Sequence, residues 1–410
     1  MIPIFKPSIK RKDMDSVLSC MVSDVIGPAT LNERLLKVLC ERTGASGGYA
    51  LRDVARALTL AFRALDLPPG ARVALSPLLP WSYLYACREH GLHPVYVDVT
   101  EHSPVLDAEA LARVQPVDAV VAAATLGYAP DLERLAELGV PIIEDVSHGL
   151  GARSGSWSVG SVGSYTICGL EPEHLITAGG GAAVLARGRK ERAALKAVAD
   201  GLPSELFLPD MNAALGLIQA LEAERLAERR SEIAEVYSRS AAQSHHKTPI
   251  QHGEGQNVHY SYAIFVETGA RDVISYAAKK GIEVVPAFAT SILGRAAEVS
   301  PGGSSATGGS AASDAASAGS TATAVSAAAT AGSAAAGGSS AASSNLEGAP
   351  AAGGARQTDA GLPPNEGKLP DEGALPNARR FLLRCLLFPL YPMLKKDEVD
   401  LVQRVLSTLP

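Results

Sequence analysis

From about residue 30 to residue 190 short apolar runs alternate with helical patterns, and that alternation restricts the chain to a small set of architectures. Leu51 to Leu65 carries aliphatic residues at helical spacing and is ended by Pro68-Pro69-Gly70. Arg72 to Ser76 then reads as a buried strand, Leu84 to His90 as a helix stopped by Gly91, and Pro94 to Asp98 as the next strand. A helix at Leu106 to Val114, a strand at Ala119 to Ala124, a helix at Asp131 to Leu138 and a strand at Val140 to Glu144 continue the series. Strands this short and apolar, joined by helices, predict an α/β fold with a mainly parallel sheet covered on both faces. Ligands of such sheets bind at the carboxyl ends of the strands. Asp98 and Asp145 stand at two of those ends.

Further along, Met211 to Ser240 reads as one long exposed helix with opposed charges at three- and four-residue spacing. A coiled-coil partner helix is the rival reading. Beyond Tyr260, a strand to Val266, a helix over Arg271 to Lys280 and a strand over Gly281 to Val285 open a smaller α+β domain. From Ser300 to Gly361 the chain is almost wholly Ala, Gly, Ser and Thr with no aromatic residue. Such a tract cannot bury enough apolar area to offset backbone ordering at roughly 1–2 kcal/mol per residue, so it is expected to be disordered. Folded sequence resumes near Leu375 and ends in a helix from Lys396 to Leu406. The expected division is a large domain over 1–240, a small one over 241–298 and 370–410, and a low-complexity insertion over 299–369.

Hydrophobic residues make up 47% of the chain and aromatics only 5%, so the cores must be aliphatic, which suits α/β layers. The net charge of −6 is dispersed and no basic block occurs, which argues against a nucleic-acid partner. The five cysteines lack CxxC spacing and read as reduced thiols of a cytoplasmic protein, Cys168 as a small buried apolar residue. Met1 to Lys6 lacks the pattern of a signal peptide, and the apolar stretch Phe381 to Tyr391 is short and broken by Arg384, so no membrane partner is expected. His245, His246, His252 and His259 share a polar region without zinc spacing, so no metal is expected. Ser147 and Ser164 have no triad partners at a recognisable motif.

Several segments, in order, resemble the DegT/DnrJ/StrS family of nucleotide-sugar aminotransferases. They are Ile4-Phe-Lys-Pro-Ser8, Leu67-Pro-Pro-Gly-Ala-Arg-Val73, Gly91-Leu-His-Pro-Val-Tyr-Val-Asp98, Pro141-Ile-Ile-Glu-Asp-Val-Ser-His-Gly-Leu-Gly-Ala152, Val159-Gly-Ser-Val-Gly163, Ala213-Ala-Leu-Gly-Leu-Ile-Gln219 and Pro389-Leu-Tyr-Pro392. The resemblance implies the PLP-transferase fold of type I: a large domain with a mainly parallel sheet and a smaller C-terminal α+β domain. It implies a PLP or PMP cofactor, a homodimer and a sugar-nucleotide ligand. In that family PLP forms an imine with a lysine and uses its pyridinium as an electron sink. An aspartate pairs with the ring nitrogen; Asp145 matches it, and His148 matches a neighbouring cofactor contact. The same Asp145 could instead cap the following turn.

The chain departs from the family at the groups that hold the cofactor. The family lysine lies five residues before the first glycine of a Gly-rich turn; here the turn is Thr177-Ala-Gly-Gly-Gly-Ala182, and the count lands on His174. No lysine occurs between Lys37 and Lys190, and Lys190 belongs to a basic cluster that reads as a solvated turn. The family's Ser-Gly-Thr phosphate cradle corresponds to Asp53-Val54-Ala55, where a carboxylate would repel phosphate from a helix start. Its Asn-x-Arg stretch corresponds to Glu205-Leu206-Phe207. Three lost charge-assisted hydrogen bonds at roughly 1.5–3 kcal/mol each lower affinity by about three to six orders of magnitude at most. Pro80 falls on the ring-stacking position and Trp81 stands one residue away. The expected function is a degenerate aminotransferase-family protein, related to the transaminases of amino-sugar and polysaccharide biosynthesis, that cannot run the PLP–lysine cycle. The alternatives are a PMP-dependent sugar dehydratase with His174 as base, or a non-catalytic binding or assembly protein.

Overall fold

The computed structural model describes residues 1–242, 244, 246–251, 253–267, 269–299 and 374–410. Apart from Val299, which ends the helix Ile292–Val299, the low-complexity insertion, and with it the expectation of disorder, lies outside those residues, as do His245 and His252. In chain order the strands are β1 (Gly47–Leu51), β2 (Arg72–Leu75), β3 (His93–Tyr96), β4 (Ala119–Ala123), β5 (Ile142–Asp145), β6 (Arg153–Ser154), β7 (Trp157–Ser158), β8 (Tyr165–Gly169), β9 (Ala182–Ala186), β10 (Tyr262–Phe265), β11 (Val285–Pro286) and β12 (Cys385–Phe388). Seven of them form one sheet in the order β1-β9-β8-β5-β4-β2-β3. The pairs from β8 through β5, β4 and β2 to β3 are parallel, while β9 runs antiparallel to both β8 and β1. The mainly parallel α/β architecture expected from the alternation is therefore present.

Strand side chains alternate between two buried layers, as the two-residue period of a strand requires. Val73, Leu75, Ala119, Val121, Ala182 and Val184 face the helices Val54–Ala64 and Trp81–Glu89. Ala74, Val120 and Ala122 face the opposite way, towards the helix Ala108–Val114. Ala183 and Leu185 of β9 pack with the helices Thr30–Thr43 and Asp210–Leu221. Each buried leucine or valine contributes about 1.5–3 kcal/mol. A separate antiparallel sheet, β10-β12-β11, covers its own core with Ile233, Tyr237, Val273 and Val402.

Four local readings change. The stretch Met211 to Ser240 is two helices, Asp210–Leu221 and Ala223–Ala241, with Glu222 between them. The first buries Ala213, Leu217 and Ala220 in one core and the second buries Ile233, Ala234 and Tyr237 in another, so a single straight helix could not serve both. Its partner is the helix Lys396–Leu406 of the same chain. The strand expected over Gly281 to Val285 shrinks to Val285–Pro286 because the N-terminus takes the preceding edge: Ile2 donates to the Gly281 carbonyl at 2.7 Å and accepts from the Glu283 amide at 2.9 Å. Lys190 sits near the start of the exposed helix Arg189–Ala199 rather than in a turn. Finally, β1 occupies residues that carried no strand expectation. Gly48 makes it possible, since a Cβ there would lie 2.3 Å from the Val184 carbonyl oxygen.

Asp98 does stand at a strand end, but its work is structural. Its Oδ1 accepts from the Ala378 amide at 2.8 Å and its Oδ2 from the Asn377 amide at 3.0 Å, closing the N-terminus of the helix Pro376–Arg384. Asn377 returns a bond from Nδ2 to the Val99 carbonyl at 2.9 Å. Two donors of a helix start are thus satisfied by a residue distant in sequence. Among the described residues no helix is long and apolar enough to cross a membrane. Asp98→Ala is expected to cost about 1–2 kcal/mol of unfolding free energy, read as a lower urea midpoint with an unchanged slope.

Candidate functional site

A cavity of about 520 Å³ opens at the carboxyl ends of β4, β5 and β8. Asp145 is the last residue of β5 and is 3% exposed. Its Oδ1 accepts from the Ser147 amide at 2.8 Å, and its Oδ2 accepts the hydroxyl hydrogen of Tyr83. Burial pushes the Asp145 carboxyl above the usual carboxylate range, against the pull of the Tyr83 and Ser147 hydrogen bonds. Burial likewise pushes the Tyr83 phenol well above its ordinary value, and the neighbouring carboxylate adds to it. One residue earlier, Glu144 points to the other side of the strand and is fully buried. It accepts from the amides of Gly160, Val162 and Gly163, each at 2.6 Å, so it fixes the loop behind the site and lines no cavity wall.

His148 and His174 meet edge to face with ring centres 5.6 Å apart. Tyr260, from the segment before β10, stacks on His148 at 3.7 Å. The Tyr260 carbonyl is held in turn by the buried Arg230, whose Nη1 also donates to the Leu390 carbonyl. His174 accepts from the Glu171 amide at Nδ1, 3.1 Å away. That contact places the ring proton on Nε2. Gly169 leaves room for the imidazole: a Cβ there would fall 2.3 Å from His174 Cε1 and 2.7 Å from Ser147 Oγ. Burial pulls the His174 pKa down to about 4, with a Gly169 backbone contact opposing it. It also pulls His148 well below its ordinary value, helped by His174 and Arg230. Both rings are neutral near pH 7.

At the other end of the cavity the helix Val54–Ala64 begins with Asp53 as its N-cap. Asp53 Oδ1 accepts from the Arg56 amide at 2.8 Å, and Oδ2 pairs with the Arg56 guanidinium. Glu171 lies beside the Gly179-Gly180-Gly181 turn, whose three φ angles are all positive, and the Gly181 backbone hydrogen-bonds it. Burial raises the Glu171 pKa, and the charges of Glu173 and Asp53 add to it. Among the described residues, Asp53, Asp145, Glu171 and Glu173 line one cavity with a single cation, Arg56, and no lysine.

The structure brings Asp145, His148 and His174 together. Trp81 is not among the lining residues: its ring faces Arg88 and Arg295, with guanidinium carbons 5.3 and 5.8 Å from the ring centre. Tyr83, two positions on, takes the inward place instead. Lys37 lies at a separate depression with Glu33, Cys40 and Arg192. Phe207 packs on Tyr49, its ring centre 6.0 Å away. Tyr83, Glu171, Glu173 and Tyr260 were not singled out by sequence reasoning. For Glu171 and Glu173 the signal was available, since both lie within three residues of His174. Among the described residues no group of three or more His, Cys, Asp or Glu side chains is placed to hold a metal ion.

The sequence profile of the DegT/DnrJ/EryC1/StrS aminotransferase family matches residues 7–297. The chain belongs to that family. Solved structures with the same fold include the aminotransferase TlmJ from Streptoalloteichus hindustanus, at 18% identity over 99% of this chain and 98% of that one, with a TM-score of 0.74. The Streptococcus pneumoniae protein Spr1654 in its PMP form matches at 18% identity over 99% of this chain and 96% of that one, with a TM-score of 0.75. DesV of S. venezuelae, solved with a ketimine intermediate, matches at 18% identity over 97% of this chain and 95% of that one, with a TM-score of 0.72. The PLP-transferase fold of type I is thereby shown.

The depressed His174 pKa has a thermodynamic consequence of definite sign. Unfolded, the ring takes a proton near pH 6.5; folded, it does so only near 4. The unfolded state therefore binds more protons throughout that window, and this group's contribution to stability is present above pH 6.5 and lost as pH falls towards 4. His174→Gln is expected to flatten the fall in Tm between pH 7 and pH 4.5, measured as a difference curve so that the buried carboxyls cancel.

Proposed function

We propose that this chain is a degenerate member of the family, a cytoplasmic relative of the sugar-nucleotide transaminases of amino-sugar and polysaccharide biosynthesis. It keeps a ligand cavity but does not run the PLP–lysine cycle. One observation carries the reading: among the described residues no lysine lines the cavity beside Asp145, and His174 stands where the family lysine is counted. PLP, when bound in this family, supplies a carbonyl for amine exchange and a ring that accepts electrons. Here Asp145 would suit the ring nitrogen, but the remaining residues do not fit the group. Among the described residues no primary amine lines the cavity to form the imine, and at the helix start that would receive the phosphate the Arg56 amide is already taken by the Asp53 carboxylate. Carboxylates at that end repel a phosphate dianion.

The dehydratase alternative asks His174 to accept a proton. Its Nδ1 already takes the Glu171 amide hydrogen, which leaves the proton on Nε2, and a pKa near 4 makes it a weak base. The degenerate reading is the better supported. Homodimer formation belongs to the same proposal: the helix Arg11–Val22 and the segment after it expose Met14, Leu18, Met21, Val22, Val25 and Ile26, a strip that a second copy would cover.

The test is to incubate the purified protein with PLP, reduce with borohydride and map adducts by peptide mass. The expected result is no new absorbance band from the cavity and no reduced adduct at a lysine that reaches it. A stoichiometric adduct at one such lysine, from this chain or a second copy, would overturn the proposal. Restoring an amine alone, as His174→Lys, is expected to leave PLP affinity at least about 100-fold weaker than His174→Lys combined with Asp53→Ser, because only the pair also frees the helix start.

A further inference from the structure

We propose that Trp81, Arg88, Tyr96 and Arg295 form a site for a phosphate-class oxyanion, separate from the cavity beside Asp145. None of the four lines that cavity, and the inference does not rest on the proposed function. Arg88 closes the second turn of the helix Trp81–Glu89, Tyr96 ends the edge strand β3, and Arg295 belongs to the helix Ile292–Val299. Trp81 and Arg88 are seven residues apart and so share one face of their helix. The guanidinium carbons of Arg88 and Arg295 lie 5.3 and 5.8 Å from the Trp81 ring centre, so one indole gathers two cations. Like charges drawn to one ring repel each other, and an anion beside them relieves the repulsion.

A pair of buried donors gives the independent sign that an acceptor belongs there. Arg88 Nε and the Tyr96 hydroxyl are both closed from water and have no hydrogen-bond partner. Tyr96 is only 8% exposed, so bulk solvent does not satisfy it. Burial pushes the phenol pKa up to about 12 against the opposing Arg88 charge, so the hydroxyl keeps its proton and can donate. No carboxylate is among the charges that act on it. Buried polar groups are nearly always paired, and a bare donor beside an arginine marks a missing acceptor. The donors come from three separate elements. A planar carboxylate accepts within one plane, whereas a tetrahedral oxyanion accepts from several directions, and its charge of about −2 matches two guanidinium groups. Arg88 is half-buried and Arg295 exposed, which leaves the ion a path from solvent.

The chain has two tryptophans, so Trp157→Phe leaves Trp81 as the only one and makes its fluorescence a report on this site. The full-length variant is titrated with sodium phosphate, with sodium sulfate and, at matched ionic strength, with sodium chloride. Phosphate and sulfate are each expected to give a saturable change with a Kd of about 1 mM or tighter. Arg88→Lys keeps the charge but loses the Nε donor, and Arg295→Gln loses the charge. In the same background each is expected to weaken binding about tenfold, the worth of one charge-assisted contact. Tyr96→Phe is expected to weaken it about threefold while leaving Tm in phosphate-free buffer unchanged or higher, because it deletes a hydroxyl that has no partner. A lower Tm there, with phosphate affinity intact, would assign the phenol a structural role and overturn the inference. Methyl phosphate separates the two sources of the oxyanion: weaker binding than inorganic phosphate assigns the free ion, tighter binding the phosphate of a larger ligand. No saturable change below about 10 mM phosphate, or an equal change with chloride, would overturn the inference. So would unaltered affinity in both Arg88→Lys and Arg295→Gln, which would mean an adventitious ion only. None of these outcomes bears on the borohydride test of the cavity.

Discussion

Backbone N–H groups at the starts of helices and in tight turns must find an acceptor, and in this chain carboxylates from elsewhere in the sequence supply it. Asp210 binds the amides of Ala29, Leu31 and Asn32, so the helix Thr30–Thr43 is locked to the helix Asp210–Leu221. Glu144 gathers three amides of the 160–163 loop behind the sheet. Asp98 does the same for the helix Pro376–Arg384, while Asp53 is a local cap, three residues from the Arg56 amide it holds, on the helix that walls the cavity. An unpaired buried amide costs about 1–3 kcal/mol, so these few side chains decide how the layers can be joined. At the cavity the rule has a chemical result: an amide bound to Asp53 is not free for a phosphate.

The alternation of short strands and helices was enough to read the central sheet, because burial on both faces leaves a strand no option but a continuous apolar run. The reading was weakest where neighbours distant in sequence define the element. β1 exists because β9 lies beside it and Gly48 lets the two backbones approach, neither of which is visible in the pattern around Leu51. The break at Glu222 follows from two separate cores drawing on adjacent helices. Asp98 was placed at a strand end correctly, but its task was set by amides 279 and 280 residues away.

The candidate site shows the same division. Asp145, His148 and His174 could be counted from local motifs, and they converge. That Tyr83 rather than Trp81 lines the cavity depends on the phase of a helix whose first residue is Trp81, where successive residues differ by a large rotation about the axis. Tyr260 arrives from more than a hundred residues downstream, carried by the Arg230 contact. Its stacking on His148 could not be inferred from either segment alone.

The Asp98 cap also governs how the C-terminal part of the chain is fastened. On the near side of the low-complexity stretch, the Ile292 and Leu293 amides bond to the carbonyls of Leu79 and Pro77; on the far side, Asp98 seizes the incoming helix. Both moorings grip the segments that follow β2 and β3. Whatever length of chain joins the two moorings, each is held by its own bonds to those segments.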